Sequence, residues 1–144
     1  MAFFSKLPGL FSGGSAEEAQ KNQRQRTGAT GEELAVSCLE RKGYVVLERN
    51  YRRPFGEIDI IARDGETLVF IEVKTRRNTR YGDPLEAVDS RKQQRMVKAA
   101  QDYLSRNSGG DTAARFDVVA VLEDGGRGVD VRHVRNAFEL EGWG

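Results

Sequence analysis

The sequence predicts an α/β domain, a mixed β-sheet flanked by helices in the order α-β-β-β-α-β-β. Three observations carry that expectation. Two stretches, "TGATGEELAVSCLERKG" from Thr27 and "DPLEAVDSRKQQRMVKAAQDYLS" from Asp83, combine cap signals with apolar residues spaced by threes and fours. Short runs rich in Val, Ile, Phe and Tyr read as strands. Asp64-Gly65 and the Gly-rich "EDGGRG" have the chemistry of tight turns between such runs.

Composition sets the limits. A chain of 144 residues, 38% of them hydrophobic, suits one domain with one modest core. Lys and Arg number 23 against 22 acidic residues, a net charge of +1, so any nucleic-acid-binding surface has to be local. Cys38 is the only cysteine, which excludes an intrachain disulfide and a Cys-rich zinc site and fits a reducing, cytoplasmic setting. The opening "MAFFSKLPGLFSGGS" is interrupted by Lys6 and Pro8, so it reads neither as a signal peptide nor as a membrane span.

Residues 1 to about 26 read as a flexible tail, whose Phe3, Phe4, Leu7, Leu10 and Phe11 offer a short sticky segment for a protein partner. The domain is expected over residues 27–144. Its first helix has Thr30 and Glu33 at capping-box spacing, the stripe Leu34, Ala35, Cys38 and Leu39, and a stop at Gly43. "YVVLERNY" follows as a strand, with Asn50 to Gly56 as a basic, Pro-containing connection. After the central hairpin, Asp83 as N-cap, Pro84 and Glu86 open a helix running to about Ser105, with Leu85, Val88, Met96, Ala99, Ala100, Tyr103 and Leu104 as its apolar line, interrupted by Lys92. "RFDVVAVL" and "VDVRHV" complete the sheet.

The hairpin "GEIDIIARDGETLVFIEVKTR" places Glu57, Asp59, Glu72 and Lys74 within apolar strands. With Asp64 and Gly65 at the centre of the turn, Arg63 faces Glu66, Ile61 faces Leu68, Asp59 faces Phe70 and Glu57 faces Glu72. Glu57, Asp59, Ile61, Leu68, Phe70, Glu72 and Lys74 then share one face, and Ile58, Ile60, Val69, Ile71 and Val73 the other. Carboxylates gathered on one face repel one another unless a cation lies between them, and a set of hard oxygens suits Mg²⁺ or Mn²⁺. The plain alternative is a solvated charged surface, but the interleaved Ile61, Leu68 and Phe70 suggest a strand pair covered on both sides.

"GEIDIIA" and "FIEVKTR", preceded by a helix opening "GATGEELA", resemble the PD-(D/E)xK nuclease superfamily and most closely its uncharacterised bacterial YraN-like family, over about Thr27 to Leu122. The resemblance implies a restriction-endonuclease-like fold and Mg²⁺- or Mn²⁺-dependent hydrolysis of phosphodiesters, in structured or branched DNA. Asp59 matches the superfamily's metal-binding aspartate, Glu72 and Lys74 match its ExK pair, and Glu32 matches the acidic residue on the first helix of archaeal Holliday-junction resolvases. Asp59 and Glu72 would hold the ion, with Glu32 and the Val73 carbonyl as further ligands. Lys74 would orient or help deprotonate the attacking water and offset charge on the phosphorane. Ile58 stands where the superfamily motif has proline. Glu57 reads as a supporting group or the partner of an arginine.

Arg76, Arg77 and Arg80 follow the ExK strand, and Arg91, Arg95 and Lys98 recur at helical spacing, a local basic edge suited to sugar-phosphate contacts. Lys92 reads as a residue snorkelling from the apolar side of its helix, with a role near the phosphate as the alternative, Tyr81 as a stacking or packing group, and His133 as a strand residue. Symmetrical cleavage of a junction would need a homodimer. The alternative from another class is a non-catalytic module that keeps the fold for nucleic-acid binding or protein recruitment.

Overall fold

The computed structural model describes residues 27–76, 88–107, 112–123 and 128–139; the tail expected over residues 1–26, the helix start expected at Asp83 and most of "EDGGRG" lie outside them. Seven elements follow in the order the sequence predicts: α1 (Thr27–Arg41), β1 (Val45–Arg53), β2 (Gly56–Asp64), β3 (Thr67–Arg76), α2 (Ser90–Asn107), β4 (Ala114–Glu123) and β5 (Val129–Phe138). The five strands form one sheet in the spatial order β1-β2-β3-β4-β5. Only β3 and β4 are parallel; the other neighbours are antiparallel. A parallel pair needs a crossover, and α2 supplies it.

α1 begins at Thr27, so Thr30 lies inside the helix and not at its N-cap. Its end is as expected. Gly43 has φ of +91°, its N–H donates to the Glu40 carbonyl, and the Tyr44 N–H donates to the Leu39 carbonyl. This paired bonding satisfies carbonyls that the helix leaves open, and a glycine at that position avoids the left-handed penalty of a side chain. α2 begins at Ser90, later than Asp83, because Val88 and Asp89 are not helical and the Asp89 carboxylate accepts the Lys92 N–H at 2.9 Å. That cap satisfies one orphan donor of the first turn.

β1 continues to Arg53, through residues expected to form a loop, and Arg53 pairs with Gly56 across a two-residue turn. Tyr51 is buried, and Arg53 binds Asp102 of α2 at 2.8 Å, so the apolar and ionic contacts of these residues hold the strand in place. Gly56 is where β2 passes under α2: a Cβ there would stand 2.1 Å from the Arg95 carbonyl oxygen. β5 likewise outlasts "VDVRHV", reaching Phe138.

The turn between β2 and β3 is displaced by one residue from the expected position. Asp64 pairs with Thr67, so Gly65 and Glu66 are the central residues, and Gly65 takes φ of +61°. Glycine at the first central position suits a two-residue hairpin, whereas the expected turn would ask Asp64 to adopt positive φ. Ile61 therefore faces Phe70 and Arg63 faces Leu68, in place of the expected Ile61–Leu68 and Asp59–Phe70 pairs. The slide amounts to two positions on one strand, which leaves each side chain on its face.

Ile58 is the exception. It joins Ile61, Phe70, Met96 and Tyr103 in the cluster beneath α2, while Ile60 joins Leu39, Ile71 and Val119 beneath α1. Residues 58 and 60 of a regular strand would share a face. The β1–β2 ladder skips Asn50 and Asp59, with Arg49 opposite Ile60 and Tyr51 opposite Ile58, and Asn50 has φ of +55°. Asparagine tolerates that conformation better than most residues, and it lets the hairpin change its face between two apolar layers. Each fully buried Ile or Phe in these layers contributes about 1.5–3 kcal/mol.

A polar network ties the α1–β1 connection to the far edge of the sheet. Asp117 of β4 is fully buried and accepts His133 Nε2 at 2.7 Å, Arg115 Nε at 3.0 Å, the Asn136 N–H at 2.9 Å and the Tyr44 hydroxyl at 3.3 Å. Lys42 Nζ lies 3.0 Å from His133 Nδ1. An ammonium only donates, so Nδ1 accepts and the proton sits on Nε2, facing Asp117. Burial by itself would raise the Asp117 carboxyl, but His133, the Asn136 N–H and Arg115 more than offset it and hold it below the usual carboxylate range. A depressed carboxyl stabilises the fold above the unfolded-state value near pH 4 and loses that contribution as pH falls through its own lower value. Asp117→Asn is expected to cost on the order of 3 kcal/mol in urea denaturation at neutral pH and to reduce the acid sensitivity of the midpoint; an unchanged midpoint would contradict this role.

Candidate functional site

Glu72 lies on β3, the central strand, with β2 on one side and β4 on the other. Its side chain is 3% exposed. A buried carboxylate needs cations or donors, and here two lysines converge on one oxygen: Lys74 Nζ at 3.3 Å and Lys92 Nζ at 3.1 Å from Oε1. Oε2 has no hydrogen-bond partner among the described residues. Lys74 comes from the same strand, two positions on, and Lys92 from the first turn of α2.

Asp59 stands where β2 leaves its ladder with β3, whose pairing ends at Ile60 and Ile71. In place of a main-chain bond, the Val73 N–H donates to Asp59 Oδ2 at 2.8 Å. The face change at Asn50 and Asp59 thus frees a backbone donor on β3 and gives it to a carboxylate. Burial, then the charge of Glu72 and a side-chain hydrogen bond with it, raise the Asp59 carboxyl to about 7, although the Val73 N–H and Lys92 pull the other way. Burial alone would lower Lys92, but Glu72 first, then Asp59 and Glu57, hold its ammonium above the ordinary value.

The expected site residues divide. Asp59, Glu72 and Lys74 come together. Glu32 is on α1, where its Oε1 accepts Arg49 Nε at 2.9 Å and Asn50 Nδ2 at 3.1 Å. Glu57 pairs with Arg52 at 3.7 Å, the arginine partnership foreseen for it. Arg76 ends β3 and donates to the Thr75 carbonyl at 3.1 Å, and Arg91, Arg95 and Lys98 are exposed on α2. Arg77, Arg80 and Tyr81 lie outside the described residues. Lys92 is the member that sequence reasoning undervalued: its interruption of the apolar helix line was the available signal, and the snorkelling lysine turns out to end on a buried carboxylate.

Among the described residues, no group of three or more His, Cys, Asp or Glu side chains is arranged to hold a metal ion. The two carboxylates still suit one kind of ion. Mg²⁺ keeps several waters and is commonly bound through one or two carboxylates and substrate phosphates, and Glu72 Oε2, a carboxylate oxygen, is of the right hardness. Without an ion, the raised Asp59 has a consequence for stability. Between the unfolded value near 4 and about 7, the folded chain keeps a proton that the unfolded chain has lost, so raising pH through this window weakens the fold. Thermal melts in chelator across this range should show the wild-type midpoint falling relative to that of Asp59→Asn as pH rises; parallel curves would rule out the buried acid.

Residues 31–121 match the uncharacterised protein family UPF0102. A UPF0102 protein of Pelobacter propionicus is 50% identical over 138 residues, covering 94% of this chain and 98% of the relative. One from Geobacter metallireducens is 50% identical over 113 residues, covering 78% and 92%. One from Dictyoglomus thermophilum is 45% identical over 112 residues, covering 77% and 95%. With the family match spanning more than half the chain and relatives at this identity aligned over nearly their whole length, the chain belongs to the uncharacterised protein family UPF0102.

Proposed function

We propose that this chain is a divalent-metal-dependent nuclease of the PD-(D/E)xK kind, hydrolysing phosphodiester bonds in structured or branched DNA. The observation that carries the reading is the buried Glu72 on the central strand with a half-buried Asp59 beside it, one Glu72 oxygen unpartnered among the described residues, and a lysine two residues along. Acidic side chains are costly in such a place, and a stability role explains neither the open oxygen nor the concentration of charge.

In this reading Asp59 and Glu72 hold the ion, and Asp59 is kept in place by the Val73 N–H. A bound Mg²⁺ or Mn²⁺ would supply charge for the phosphoryl oxygens and favour ionisation of a water. Lys74 orients that water and stabilises charge as the phosphorane forms, an interaction stronger in the transition state than in the ground state. Glu32, whose Oε1 is held by Arg49 and Asn50, would join the ion through its other oxygen or through water. Arg76, Arg77, Arg80, Arg91 and Arg95 would hold the sugar-phosphate backbone without reading bases. Cleavage at two symmetrical positions would call for a homodimer.

A second reading, a non-catalytic binding or recruitment module, draws support from Lys74 and Lys92, which neutralise Glu72 with no ion present. Cleavage assays in Mn²⁺ on branched DNA, linear DNA and RNA separate the two. Wild type is expected to cut, Asp59→Asn to lose most ion affinity and activity, and Lys74→Ala to bind the ion but cleave about two to four orders of magnitude more slowly. A wild type that cuts none of these substrates, or an equally active Asp59→Asn, would leave the binding module as the better account. Replacing Arg76 and Arg77 together with alanine should weaken binding and lower the salt slope by about two, with little change in melting temperature; an unchanged slope removes both from the interface.

A further inference from the structure

Lys92 lies where a metal ion would compete with it. Its ammonium is 3.1 Å from Glu72 Oε1, and it comes from α2, an element separate from the strands that carry the carboxylates. Lys74, the other ammonium on that oxygen, is 17% exposed and rises from the central strand; Lys92 is 31% exposed, at the end of a flexible stem. Asp59 and Glu72 bring two negative charges at most, which the two lysines already balance. An added divalent cation therefore makes one ammonium redundant, and the more exposed one is freer to leave. Arg91 stands beside Lys92 and Arg95 one turn on, both exposed, so a released Lys92 joins a basic stripe already facing solvent.

Building on the proposed nuclease reading, we infer that Lys92 is a resident stand-in for the metal: it holds Glu72 in the ion-free protein and, when a divalent ion takes the carboxylates, turns to the scissile phosphate. Ion binding then makes the site more positive, and the phosphodiester anion is drawn to the loaded form. Lys74 stays with the reacting water, and Lys92 contacts a non-bridging phosphate oxygen. The two lysines thus have different roles despite sharing one oxygen in the ion-free state.

Calorimetric titration with Mn²⁺ tests this, alongside fluorescence anisotropy of a branched DNA in Ca²⁺, for wild type, Lys92→Met and Lys92→Arg. Lys92→Met keeps the apolar stem and removes the competing charge. It should bind Mn²⁺ several-fold tighter than wild type, gain more in melting temperature from the ion, and bind DNA more weakly in Ca²⁺. Lys92→Arg should behave like wild type in both titrations. Lys92→Gln replaces Lys92→Met if the latter does not fold. If wild type binds Mn²⁺ and the neutral variant binds it no more tightly, or if DNA affinity in Ca²⁺ is unchanged, Lys92 is a structural partner of Glu72 and the inference is wrong. If wild type binds no Mn²⁺ at all, the metal-dependent reading itself fails.

Discussion

Two carboxylates on the central strands of a sheet set the terms for the rest of this protein. Glu72 is buried, with Asp59 half-buried beside it, between layers of Ile, Val, Phe and Met, where an uncompensated charge would cost several kcal/mol. Every local irregularity nearby bears on that cost. The left-handed Asn50 lets the β1–β2 hairpin change its face, the Val73 N–H turns to Asp59, and α2 delivers Lys92 to Glu72. These arrangements contain the charge without removing it. The raised Asp59 carboxyl and the open Glu72 oxygen mark what is left uncompensated.

A second buried carboxylate provides a comparison within the same fold. Asp117 is as deeply buried, yet His133, Arg115, Asn136 and Tyr44 surround it and its carboxyl is held low. That network is a satisfied brace between the α1–β1 connection, β4 and β5. Polar groups that are all satisfied rigidify a core; a cluster with an oxygen to spare has capacity for a ligand. The difference between the two clusters gives chemical meaning to burial that would otherwise look alike.

Much of the fold was legible because periodicity reports faces. The order of elements and the stripe of α1 follow from spacing, and a slide of two residues in the β2–β3 register left Ile61, Leu68 and Phe70 on one face. Boundaries and local phase were less legible. Asp64-Gly65 looks like a turn centre, but glycine at the first central position of Gly65-Glu66 meets the backbone need better. Ile58 reads as a neighbour of Ile60 until Asn50 is known to be left-handed, and no periodic pattern announces a phase change. The Asp89 cap at the start of α2 is visible only in three dimensions. Within the candidate site, Asp59, Glu72 and Lys74 could be grouped from one hairpin, while Lys92 arrives from an element distant in sequence and required the fold.

The account stands on whether Asp59 and Glu72 share a divalent cation. Crystals grown with Mn²⁺ and measured at a wavelength where manganese scatters anomalously would answer directly. The predicted result is an anomalous peak within coordination distance of both carboxylates, with Lys92 Nζ no longer on Glu72 Oε1. A map with no peak at this site, at Mn²⁺ concentrations that saturate other hard-oxygen sites, and with both lysines still on Glu72 would contradict it.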